Sequence, residues 1–105
     1  MTLQVVFSPI PYLCQIAADV SGHPVDSITG PRREDQLVSL RDAIILVARD
    51  CFQLQPASIA KRLGNRNPAT IGACARRARA RRDADDAFRA FTDFLIDKAR
   101  ERNLP

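Results

Sequence analysis

The sequence predicts an all-α fold, a compact multi-helix domain, and three observations predict it. Apolar residues recur at steps of three and four along most of the chain, without the sustained alternation that a strand requires. Turn formers such as Gly22 with Pro24, Gly30-Pro31 and Gly64-Asn65 punctuate those runs. The 105 residues, 46% hydrophobic and 27% charged, suffice for one core but not for a catalytic domain beside a separate binding domain.

Residues 1–9 read as an extended lead-in ended by Pro9 and Pro11, and residues 10–103 as a single helical domain. Ile10, Leu13, Cys14, Ala17 and Val20 make the inner stripe of a first helix, which Gly22 ends and Pro24 keeps from resuming. Val25 to Thr29 can form one helical turn before Gly30-Pro31 breaks it. Leu37, Leu40, Ile44, Val47 and Cys51 then repeat at 3-4-3-4, and Ile45, Leu46 and Ala48 widen the stripe, so Leu37 to Phe52 is the expected central helix. Pro56 suits the first turn of a short helix over about 56–63 that turns Ile59 and Leu63 inward. Asn67 is a natural N-cap and Pro68 a natural first residue for a helix over about 68–82, with Ile71, Cys74, Ala75 and Ala78 inside. Asp83 to Asp86 place negative charge at the start of a final helix, which buries Phe88, Phe91, Phe94 and Leu95 and ends near Asn103, leaving Leu104-Pro105 frayed.

Several function classes are disfavoured. No apolar stretch approaches the roughly 20 residues that span a bilayer, and Met1 to Phe7 lacks the basic start and apolar run of a secretory signal, so the cytoplasm is the expected address. Cys14, Cys51 and Cys74 have no C-x-x-C spacing and sit among aliphatic residues, as buried thiols do. His23 is the only histidine and falls in a turn, so no metal site and no cofactor are expected. No phosphate-binding G-x-x-x-x-G-K-[ST] loop and no catalytic constellation occurs, which argues against nucleotide binding and against an enzyme.

Charge is unevenly divided. Residues 31–82 hold twelve of the sixteen Lys and Arg but four of the twelve Asp and Glu, giving +8 there and −4 elsewhere. A concentrated positive segment raises local affinity for polyanions, and arginine favours bidentate contact with phosphate or guanine. The short helix, the Gly64-Asn65-Arg66 turn and the longer helix after it follow the plan of a helix-turn-helix, whose second helix lies in the major groove. Opposite its apolar stripe, that second helix carries Ala69, Ala73, Arg76 and Ala80, flanked by Thr70 and Arg77. Small residues permit close approach, Thr70 supplies a hydroxyl or methyl, and Arg66, Arg76 and Arg77 reach guanine or phosphate. In the run from Arg76 to Arg82, the five arginines spread around the helix, so some must face water or meet Asp83, Asp85 and Asp86. Arg32, Arg33, Arg49, Lys61 and Arg62 surround the motif.

The string from Gly64 to Cys74, Gly-Asn-Arg-Asn-Pro-Ala-Thr-Ile-Gly-Ala-Cys, resembles the signature G-G-R-D-H-[ST]-T-V-x-x-A of the C-terminal DNA-binding domain, domain IV, of the bacterial replication initiator DnaA. Gly30-Pro31-Arg32-Arg33 corresponds to that family's basic loop and Leu37 through Phe52 to its central helix. The resemblance covers about Ile16 to Arg82 and implies a partner, double-stranded DNA, and a role in regulating replication initiation or transcription. It implies that Arg33 or Arg32 enters a minor groove while Asn67, Pro68, Ala69, Thr70 and Ala73 lie in the adjacent major groove. It also implies phosphate contacts from Arg49 and from Pro56 to Arg62, including Lys61 and Arg62. Where the family has Asp-His-[ST], this chain has Asn67-Pro68-Ala69. With about five to seven basic residues on phosphate, affinity should fall with salt at a log-log slope on the order of −5 to −6.

Two other readings follow from the altered triplet. One is a protein-interaction module that keeps the fold and binds a replication initiator, another replication protein or a second copy of itself through the Phe88 to Leu95 face or the proline-rich N-terminal lead-in. The other is a transcription regulator with its own operator.

Overall fold

Proline opens three of the helices, because its missing N–H falls where a first turn has no intrahelical acceptor to lose. The computed structural model describes residues 8–103, and these form six α-helices and no strand. Helix α1 (Pro9–Ser21) follows the extended Ser8, so Pro9 and Pro11 lie inside its first turn. They were expected to end a lead-in, and instead they start the helix; the rest of that lead-in, residues 1–7, and Leu104-Pro105 lie outside the described residues. Gly22 ends α1 at φ 81°, its N–H returning to the Ala18 carbonyl.

Helix α2 (Val25–Thr29) is a little over one turn, and α3 (Asp35–Phe52) begins two residues before the expected Leu37. Helices α4 (Pro56–Arg62), α5 (Pro68–Ala84) and α6 (Asp86–Asn103) complete the chain. Asp85 separates the last two alone, and its carboxylate accepts the Phe88 N–H at 3.1 Å, an N-cap for α6.

Helix α3 is the axis of the fold. It packs against all five others, and every residue from Leu40 to Ala48 is buried. Ile10, Leu13 and Ala17 of α1, Ile28 of α2, Ile59 of α4, Ile71, Ala75 and Ala78 of α5, and Phe88, Leu95 and Ala99 of α6 close around it. The radius of gyration, 13.2 Å, is that of a compact chain of this length. No helix among the described residues is long and apolar enough to cross a membrane.

Some expectations about burial change. Val20, placed on the inner stripe of α1, is 56% exposed in the last turn of that helix. Phe94 is 38% exposed, because the α6 stripe runs Phe88, Leu95 and Ala99, and Phe94 sits on its shoulder under the Lys98 ammonium. Of the cysteines, Cys14 is buried, whereas Cys51 and Cys74 are half-buried at helix edges.

Candidate nucleic-acid interface

The link between α4 and α5 is tight because two successive residues, Gly64 (φ 81°) and Asn65 (φ 56°), take the left-handed conformation. The Arg66 N–H then returns to the Ala60 carbonyl at 2.8 Å. Gly64 is also pressed onto the end of α2, where a Cβ would lie 1.8 Å from the Thr29 carbonyl oxygen. The start of α5 is satisfied internally. The Asn67 side chain accepts the Ala69 N–H at 3.0 Å, the Thr70 hydroxyl donates to the Asn67 carbonyl at 2.8 Å, and Pro68 has no N–H to offer.

Across from this turn runs the loop between α2 and α3. The Arg66 guanidinium donates to the Gly30 carbonyl, tying the two segments together. They form the walls of a groove of about 590 Å³, with Gly30, Pro31 and Arg33 on one side and Gly64 to Asn67 with Thr70 on the other. Arg41, Asp42, Cys74 and Arg77 line the same space. The basic loop and the start of α5, about 35 residues apart in sequence, therefore share one groove.

The expected site residues separate into two sets. Arg33, Lys61, Arg62 and Arg76 are exposed and make no ion pair or hydrogen bond among the described residues. Asn67, Pro68, Ala69, Thr70 and Ala73 are exposed as well, on the outer face of α5. Arg32 is exposed and paired with Glu34.

The other arginines are engaged with the protein. Arg49 donates to the Leu54 carbonyl at 3.1 Å and is half-buried, which fastens the segment leading to α4. Arg66 is half-buried, and its Nε is enclosed without a partner. Arg77 forms a bidentate pair with Asp42, both bonds 2.8 Å, which raises its already high pKa; burial of the stem works against that.

The rest of the arginine run is paired as well. Arg79 grips Asp50 at 2.6 and 3.0 Å. Arg82 reaches Asp93 at 2.6 Å and the buried Thr92 hydroxyl at 2.6 Å. Arg81 alone meets one of the expected local carboxylates, Asp85, at 3.4 Å, while its guanidinium lies over the Phe88 ring. The run thus staples α5 to α3 and α6, and Arg76 is its one member without such a partner among the described residues.

Two residues at the centre of this arrangement were not expected there. Arg41 and Asp42 are each 5% exposed. Burial lowers the Arg41 pKa, as does the nearby Arg66 charge, while Asp42 opposes both. Their signal in the sequence was a charged pair interrupting an otherwise apolar helix from Leu40 to Ala48. Comparison with protein families, curated proteins and solved structures finds no match.

Proposed function

We propose that the chain binds double-stranded DNA, with α4, the Gly64–Arg66 turn and α5 acting as a helix-turn-helix and the Gly30–Arg33 loop as a second contact. The observation that carries this reading is that the basic loop and the start of α5 share one groove, while Arg33, Lys61, Arg62 and Arg76 stay free of protein partners among the described residues. Cations left unpaired in a molecule that pairs most of its arginines are available to phosphate. In this reading the outer face of α5, with Ala69, Thr70, Ala73 and Arg76, lies in the major groove and Arg33 in the adjacent minor groove. The protein acts by binding, without catalysis, cofactor or nucleotide. A part in regulating replication initiation or transcription rests on the resemblance to DnaA domain IV.

Duplex affinity measured from about 50 to 200 mM salt tests the reading. Four free cations at about 0.9 each give a log-log slope of about −3 to −4, shallower than a count of all the neighbouring arginines suggests. A flat slope, or no binding at low salt, overturns it.

One observation favours the second reading, a protein-interaction module. Asn67 is used as a helix cap and the Thr70 hydroxyl donates to the backbone, so the polar groups at the start of α5 are committed within the helix. Selection from a random duplex pool separates the two: an enriched sequence, whether a DnaA box or another site, supports DNA reading, and no enrichment with co-purification of a replication protein supports the module.

A further inference from the structure

A buried guanidinium is costly unless its donors find acceptors, so the partners of Arg41 define its work. Its Nε donates to the Ile28 carbonyl at 2.6 Å, and one terminal nitrogen donates to the Ser27 carbonyl at 3.2 Å. Both carbonyls belong to the last turn of α2, where a helix leaves its acceptors unsatisfied. Five residues cannot sustain a helix alone. The next carbonyl but one, that of Gly30, is held by Arg66, and Gly64 seats on Thr29 between them. Two guanidiniums and one glycine contact therefore fix residues 27–30, immediately before Pro31, Arg32 and Arg33.

We propose that Arg41 is a positioning residue for the basic loop: it anchors the end of α2 so that Arg33 stands at the rim of the groove opposite the start of α5, and it does this without touching DNA. The effect on DNA rests on the duplex reading above; the effect on the loop does not. Arginine suits the task because its planar fork meets two carbonyls at once, which a lysine ammonium on a flexible stem does not reproduce. Asp42 offsets the crowding of Arg41 and Arg66, and Arg77 completes the network from α5.

The test uses Arg41→Met, which keeps an apolar stem, and Arg41→Lys, which keeps the charge and remains informative if the methionine variant does not fold. Amide exchange of the unbound protein comes first. Both variants are expected to exchange about tenfold faster over residues 25–34 while α3 and α6 stay protected. Unchanged exchange in that segment overturns the proposal.

Duplex binding is then measured in a cycle with Arg33→Ala. Arg41→Lys is expected to weaken binding about tenfold with Arg33 present and less than about twofold without it, and the charge-removing Arg41→Met to leave the salt slope of the Arg33→Ala protein unchanged. Equal losses in both backgrounds, or a further drop of about one in the slope, would mean that Arg41 meets phosphate itself, and would overturn the proposal. If the unaltered chain binds no duplex, the DNA reading falls, and the exchange measurement alone decides whether Arg41 holds the loop.

Discussion

Arg76 and Arg77 are adjacent in sequence and both exposed, and they differ in that only Arg77 pairs with a carboxylate among the described residues. Arg76 has no partner among the described residues, so Arg76→Ala should leave thermal stability within about 0.5 kcal/mol and reduce the salt slope of duplex binding by about one. Arg77→Ala strands a carboxylate, Asp42, that is 7% exposed. Such a loss costs about 3 kcal/mol in a fully buried pair, and about 2 here because Arg77 itself is 57% exposed. A fall in Tm of roughly 10 °C in a thermal melt is the expected outcome. The sequence showed both arginines on the outer face of their helix, correctly; it could not show that one of them reaches a partner 35 residues away. Phe94 illustrates the same limit, since periodicity assigns a side of α6 and not the depth at which that side is covered.

Helix α5 shows how far local rules carry at the scale of an element. Its start was legible because Asn67 and Pro68 act through bonds within three residues, and Asn67→Ala should cost about 1 kcal/mol in denaturant unfolding. Its middle has room to spare: a Cβ at Gly72 would meet only the end of the Arg76 side chain at 3.6 Å. Gly72→Ala is therefore expected to stabilise by about 0.5–1 kcal/mol. The opposite holds at Gly64, where the left-handed backbone and the Thr29 carbonyl both exclude a side chain, and Gly64→Ala should lower Tm far more than Asn67→Ala. The far end of α5 adds a pH dependence. The Phe88 N–H, and after it Arg81, hold the Asp85 carboxyl below its ordinary value. A depressed folded-state pKa stabilises above the unfolded value and loses that contribution as pH falls through the folded one. The stability difference between the unaltered protein and Asp85→Ala should persist at neutral pH and vanish on acidification below the usual aspartate range.

The whole molecule divides its positive charge between holding itself together and facing outward. Residues 31–82 concentrate a charge of +8, but Arg41, Arg49, Arg66, Arg77, Arg79 and Arg82 are used against α2, the loops, α3 and α6. What was legible at this scale was the helix order and the central place of α3, because its apolar stripe was too wide for a surface helix. The thiols report on the integrity of the same core. Cys14 is buried and pushed up to about 11, while Cys51 and Cys74 are half-buried and raised as well, with burial the first cause in each. In native protein at pH 8, labelling should reach Cys51 and Cys74 first, and modification of Cys14 should track global unfolding across a denaturant series.

The single-residue joint at Asp85 makes chain length there as consequential as chain chemistry. One inserted residue would turn α6 through about 100° and advance it by about 1.5 Å, carrying Leu95 and Ala99 off the core and parting Arg82 from Asp93. Between α1 and α2, Ser21 and Gly22 lie at the surface, and the bend reaches α3 through a hydrogen bond between the His23 and Gln36 side chains at 2.7 Å, with no buried pair to part among the described residues. Variants that differ in length should therefore accumulate at the Ser21–Pro24 bend and be absent between Arg81 and Phe88, whatever the molecule binds.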